Sequence, residues 1–172
     1  MDHPKRKSNR IPGYDYNTPG AYFITICTRS RLPILGAVVG GGALDAPFVR
    51  LSKVGQTVLR HIQSGNRISG ITVDKFVIMP NHIHLILLVD ETASSGTSRA
   101  PSPTNAVIPH FVSTLKRFCN RDTGLQIFQR SYHDHIIRNE DDYLKIWQYI
   151  DNNPARWQED CFYIPPLQEI NQ

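Results

Sequence analysis

The run Met79-Pro80-Asn81-His82-Ile83-His84-Leu85-Ile86-Leu87-Leu88-Val89 is the most apolar stretch of the chain, and it constrains the fold more than any other feature. It is far too short to cross a bilayer as a helix. After the Pro-Asn turn signal it reads as a strand. Alternation along a strand sends Ile83, Leu85 and Leu87 to one side and His82, His84 and Ile86 to the other. Two imidazoles side by side on a strand this apolar are costly unless something binds them. A metal ion is the usual partner.

The flanking sequence supplies the rest of a small sheet. Ala21 to Thr28 is rich in β-branched and aromatic residues and predicts a first strand. Residues 36–48, with Gly36, Gly40, Gly41, Gly42 and Pro47, form a long loop or a hairpin. Ser52 is a good N-cap, and Val54, Val58, Leu59 and Ile62 follow at helical spacing, so a first helix runs to about residue 66. Ile71 to Met79 predicts a second strand, which pairs with the histidine strand as an antiparallel hairpin. Residues 90–104, poor in apolar residues and rich in Ser, Thr and Pro, make a linker loop inside the domain. Ile108, Phe111, Val112 and Leu115 mark a second helix that ends near Gly124. Tyr132 to Ile137 predicts a fourth strand, and Asn139 caps a third helix from Glu140 to about Asn152. Pro154 biases Asn153 away from helical angles.

The order β-α-β-β-α-β is that of an α+β, ferredoxin-like domain: an antiparallel sheet with helices on one face and an added C-terminal helix. A length of 172 residues suits one domain with a proper core. We expect an N-terminal arm over residues 1–20, the domain over 21–157 and a tail over 158–172. The N-terminus carries basic residues with no apolar segment behind them, so no signal peptide is expected. Cys27, Cys119 and Cys161 are odd in number and widely spaced, which suits reduced thiols in a cytoplasm rather than a disulfide framework. No membrane partner is expected. The net charge of +4 permits polyanions. It concentrates in Lys5, Arg6, Lys7 and Arg10 of the arm and in Lys116, Arg117, Arg121, Arg130 and Arg138, the residues expected to contact phosphates if the partner is a nucleic acid.

On the third helix, Tyr143, Ile146, Trp147 and Ile150 fall in one apolar stripe, while Tyr149 lies on a flank with Asp142, Lys145 and Asn153. A core does not require a tyrosine there. Asn153 lies one turn further on the same flank. A phenol, two imidazoles and an amide oxygen form a device for phosphodiester exchange. A divalent cation on His82, His84 and a third ligand would act as a Lewis acid. Tyr149 would attack phosphorus and keep the 5′ end as a covalent phosphotyrosine, so that rejoining needs no ATP.

Met79-Pro80-Asn81-His82-Ile83-His84-Leu85 resembles the histidine–hydrophobe–histidine motif of HUH single-tyrosine transposases. Tyr149-Ile150-Asp151-Asn152-Asn153-Pro154 with Trp157 resembles the tyrosine helix of their REP-associated branch. Tyr132-His133-Asp134-His135-Ile136-Ile137-Arg138-Asn139 and Leu51-Ser52-Lys53-Val54-Gly55 are also similar to that branch. The resemblance spans most of residues 14–157. It implies cleavage and rejoining of single-stranded DNA next to imperfect hairpins, with Mg²⁺ or Mn²⁺, by a monomer or homodimer. It places His82 and His84 as metal ligands, Tyr149 as nucleophile and Asn153 at the third-ligand position, where many insertion-sequence relatives carry Gln.

Two other readings share the fold. A non-catalytic nucleic-acid-binding module would stack bases on strand aromatics, where the histidine strand offers imidazoles and aliphatics. An HUH replication initiator or relaxase would commonly place a lysine after the tyrosine; here Asn153 follows and Lys145 precedes. A two-histidine phosphodiesterase needs two separated H-x-Thr/Ser motifs, which the sequence lacks. His133 and His135 repeat the i, i+2 spacing around Asp134, a poor basis for a second metal site.

Overall fold

The alternation in the histidine strand is realised as two differently built faces of one sheet. The computed structural model describes residues 14–42, 46–65, 68–94 and 106–165; the basic arm and most of the 90–104 loop lie outside these. The elements run β1 (Gly20–Cys27), β2 (Gly36–Val39), β3 (Phe48–Leu51), α1 (Lys53–Ser64), β4 (Ile71–Ile78), β5 (His82–Val89), α2 (Val107–Thr123), β6 (His133–Ile137) and α3 (Glu140–Asn152). The main sheet has the order β4-β5-β1-β6, every neighbouring pair antiparallel. Each β-α-β unit therefore brackets one strand of the other, the ferredoxin-like arrangement expected from the element order. The glycine-rich stretch resolves as a separate two-stranded hairpin of β2 and β3. No helix among the described residues is long and apolar enough to cross a membrane.

Ile83, Leu85 and Leu87 are fully buried with Tyr22, Ile24 and Ile26 of β1, beneath Val58 and Ile62 of α1 and Phe111 and Leu115 of α2. On the other face Ile86 meets Ile137 and Ile150, with Phe23, Val77, Tyr143 and Ile146 packed around them. This second face is where α3 lies. Trp147, expected within the apolar stripe, stands at its exposed edge, with the Lys75 ammonium 3.6 Å from its ring centre.

A bulge in β4 holds α3 down. Val73 pairs with Leu87 and Lys75 with Ile86, which leaves Asp74 as the extra residue. The bulge lets Val73 pack toward the helical layer while Lys75 reaches the α3 face. Tyr143 then donates to Asp74 over 2.6 Å, and Lys75 pairs with Asp151 at 2.6 Å.

Both expected helix caps form because they depend only on neighbours in sequence. Ser52 Oγ accepts from the Gly55 N–H, and Asn139 Oδ1 accepts from the Asp142 N–H. Glu140, Asp141 and Asp142 fill the first turn of α3, where carboxylates suit the helix dipole. Gly55 also permits a close approach: a Cβ there would stand 1.9 Å from the Leu35 carbonyl oxygen. Leu35 N–H in turn donates to Pro80 O, so α1 and the hairpin root brace the turn that leads into His82.

A candidate metal centre with a tyrosine

His82 and His84 begin β5 and face α3. They are 0% and 2% exposed, and their ring centres lie 4.5 Å apart. Their hydrogen bonds show which atoms are available. Asn81 Nδ2 donates to the Phe162 carbonyl over 2.7 Å, which turns Asn81 Oδ1 toward His82 Nδ1 at 2.9 Å. An amide oxygen only accepts, so His82 carries its proton on Nδ1. Its Nε2 is then a lone-pair donor, buried and without a hydrogen-bond partner. His84 Nδ1 pairs with Thr25 Oγ1 at 2.8 Å, directly across the β1–β5 register, and its Nε2 faces inward. An outer hydrogen bond on each ring is the usual way that metal-binding imidazoles are oriented.

Burial lowers the His82 pKa to about 4, with Asp160 opposing and Arg31 adding to the shift. Burial and then His82 itself hold His84 well below the ordinary imidazole range. Both rings are therefore neutral near pH 7, the form that ligates metals.

Tyr149, on α3, brings its hydroxyl to 3.3 Å from His84 Nε2 and donates to Asp160 Oδ2 over 3.1 Å. Phe23 touches both His84 and Tyr149 edgewise or face-on, with ring centres 5.1 Å and 6.1 Å away. Tyr149 is 41% exposed, so it is open to a ligand from the solvent side. Burial of the hydroxyl, then the Asp160 carboxylate, pushes its pKa above the ordinary phenol value.

Asn153 is 3% exposed and keeps helical angles (φ −58°, ψ −42°) despite Pro154. The expected displacement does not occur. Its N–H still reaches Ile150 O at 3.4 Å, and its Nδ2 donates to Asp160 Oδ2 over 3.1 Å. These contacts outweigh a local steric bias that disfavours helical angles without forbidding them. Asn153 Oδ1 is buried and has no partner.

Asp160 is the residue that sequence reasoning missed. It sits in the segment read as a tail, yet that segment turns back over the site through the single helical turn Trp157–Glu159. Phe162 lies 4.6 Å from the His82 ring, and Asp160 Oδ1 accepts from the Phe162 N–H. His82, His84 and Asp160 each offer a ligand atom within 4.8 Å of the others, a group that fits a divalent metal. The signal was available only as a need: two neutral imidazoles call for an anionic third ligand. A cleft of about 300 Å³ opens beside Tyr149, bordered by Lys145, Asn153, Arg156 and Asp160.

The expected phosphate contacts fall in different places. Lys116 Nζ donates to the carbonyls of Gln129, Arg130 and Ser131 at 2.8–3.2 Å, and burial lowers its pKa to about 8. The structure thus uses Lys116 to fasten the loop before β6, in place of an outward-facing charge. Arg117 and Arg121 flank Phe118 on α2, in the helical layer across the sheet from His82. Arg130 is exposed near the His82 end of the sheet, where the neighbouring Gln129 N–H donates to Cys27 O, the residue paired with His82. Arg138 is exposed at the other end of β6. Lys5, Arg6, Lys7 and Arg10 lie outside the described residues. His135 pairs with Asp142, and among the described residues neither it nor His133 joins a metal-ligand group.

No family model matches the chain. An uncharacterized protein of Haemophilus influenzae is 29% identical over 174 residues, covering 92% of this chain and 93% of its own length. Among solved structures, a REP-associated tyrosine transposase bound to a REP hairpin superposes with a TM-score of 0.59 at 22% identity, covering 81% of this chain and 68% of that one. The likeness is one of fold, and it is the fold that the motif resemblance implied.

Proposed function

We propose that this protein is a single-tyrosine DNA transposase: it cuts and rejoins single-stranded DNA next to a hairpin, with Tyr149 as nucleophile. The observation that carries the reading is the meeting of Tyr149 with the two strand histidines. A phenol from α3 lies 3.3 Å from His84 Nε2, within a cluster that holds an orphaned imidazole nitrogen and a carboxylate. A packed core requires none of these, and burying them without partners is unfavourable.

Tyr149 Oη attacks the phosphorus of a phosphodiester. A P–O bond forms to the phenol, the P–O3′ bond breaks, and the 3′ oxygen leaves as a hydroxyl. The 5′ end stays on the protein, and attack by a 3′ hydroxyl reverses the step. Before the attack Tyr149 must lose its proton, and in the resting site that proton is held in a hydrogen bond to Asp160 Oδ2. His82, His84 and Asp160 would hold Mg²⁺ or Mn²⁺, with the unpartnered Oδ1 of Asn153 beside them as a further oxygen donor and Nδ2 steadying the carboxylate. When bound there, the cation supplies charge that polarises the phosphodiester and offsets the Asp160 charge that disfavours phenolate. Phe162 and Trp157 shield the His82 side from water. The hairpin preference is taken over from the fold relative, which is bound to one.

The test is an SDS-resistant adduct. Wild-type protein with Mn²⁺ and a labelled single strand carrying a hairpin should retain label, and Tyr149→Phe should retain none while still binding the strand. Equal adduct in the Phe variant would remove Tyr149 from the reaction.

A further inference from the structure

Between β1 and β2 the backbone takes an unfavourable path. Ser30 and Arg31 both have φ of 55°, and they are the only non-glycine residues with positive φ among the described residues. Left-handed angles crowd Cβ against the backbone, so glycine is the usual occupant. Two such residues in succession, at the end of the strand that pairs with the metal-binding one, call for a reason.

The side chain of Arg31 supplies one. Its guanidinium carbon lies 5.2 Å above the centre of the Phe162 ring, and Phe162 is the ring that packs on His82 at 4.6 Å. Arg121 is ion-paired to Asp122 and Arg156 to Glu159, whereas Arg31 has no carboxylate within ion-pair distance among the described residues. It is exposed. A guanidinium held over an aromatic ring and lacking a carboxylate partner has less freedom to lose on binding than one that moves freely. An oxyanion with paired acceptor oxygens, such as a phosphodiester, matches that fork.

We propose that Arg31, seated on Phe162, is a backbone-phosphate subsite that grips the phosphodiester next to the one Tyr149 attacks. This rests on the function proposed above. The left-handed turn carries Arg31 onto Phe162, and Phe162 couples that grip to the wall of the proposed metal site.

The backbone strain provides an unusual test. Arg31→Gly removes the guanidinium and relieves the turn, so its melting temperature should equal or exceed that of wild type by up to a few degrees. Its affinity for a fluorescein-labelled single-stranded hairpin oligonucleotide, measured in EDTA, should fall about tenfold. The slope of log affinity against log salt should become shallower by about 0.7, the signature of one lost single-strand phosphate contact. Arg31→Lys should fall between the two. In adduct assays with single methylphosphonate linkages, wild type should be sensitive at one neighbouring linkage to which Arg31→Gly is indifferent.

Unchanged affinity and salt slope, or a joint loss of stability and binding that Arg31→Lys restores in full, would overturn the proposal. Should wild type form the adduct while Arg31→Gly behaves identically, only this subsite fails. Should Arg31-dependent binding appear without any adduct, the subsite stands and the catalytic reading fails.

Discussion

His82 and Ile86 on one side of β5 are buried as completely as Ile83, Leu85 and Leu87 on the other, yet the two sides are built for opposite purposes. Ile83, Leu85 and Leu87 are completely covered by the helical layer, and so are His82 and Ile86 by α3 and the returning C-terminal segment. On the first side the side chains of Ile83, Leu85 and Leu87 are wholly apolar and their neighbours supply dispersion contacts. On the second, a buried imidazole nitrogen and an amide oxygen have no partner. Burial therefore does not distinguish a core from a site; the unsatisfied lone pairs do. Four measurements bear on that contrast.

The largest effect is expected at His82. His82→Leu removes the unpartnered Nε2 but also takes the donor from the buried Asn81 Oδ1, so without metal the variant should lie within about 1–2 kcal/mol of wild type. Strand cleavage should fall by roughly a thousand-fold, since several kcal/mol of charge stabilisation goes with the ligand. Thermal melts with and without Mn²⁺ separate the two: wild type should gain stability with metal and the variant should not.

On the opposite side, Leu85→Ala should cost about 3–4 kcal/mol in urea unfolding, the range for emptying a packed leucine site. Adduct formation per folded molecule should persist. A variant that kept its stability but lost chemistry would erase the distinction between the faces.

Acid should act on the histidine side. The His82 pKa is about 4 in the fold and near 6.5 unfolded. The unfolded chain therefore binds the proton first as pH falls. The stability belonging to the neutral ring is complete above pH 6.5 and is lost between there and about 4, roughly 3 kcal/mol in all. His84 is shifted the same way, so His82→Leu should flatten this dependence in part. Unfolding curves at pH 7 and 4.5 would show it; an unchanged slope would mean that His82 titrates normally.

The smallest effect concerns Lys116, whose ammonium serves three carbonyls. Lys116→Ala should cost about 1–2 kcal/mol and leave the salt dependence of DNA binding alone, unlike Arg31→Gly. A shallower salt slope in that variant would return Lys116 to the phosphate contacts.

What could be read from the sequence was what neighbours in sequence decide. Ser52 and Asn139 cap their helices through the next turn of backbone, and the period-two pattern of β5 assigns each side chain to a face. Tyr149 was separable because a helical wheel puts it off the apolar stripe. Contacts distant in sequence were out of reach. Asp160 becomes a site residue only because residues 157–163 fold back on Asn81 and His82. Asn153 stays helical, held by its bonds to Asp160 and to Ile150 O, which the Pro154 bias cannot reveal. Lys116 turns inward because the loop before β6 offers three carbonyls at one spot, and no charge pattern encodes that.

The most direct test is mass spectrometry of the peptide that carries Tyr149, after incubating the protein with Mn²⁺ and a single strand bearing a hairpin. The expected product is that peptide enlarged by a 5′-phosphorylated nucleotide on the phenol oxygen, absent when the metal is chelated. A nicked strand with an unmodified Tyr149 peptide, or a nucleotide carried on another residue, would contradict the site described above.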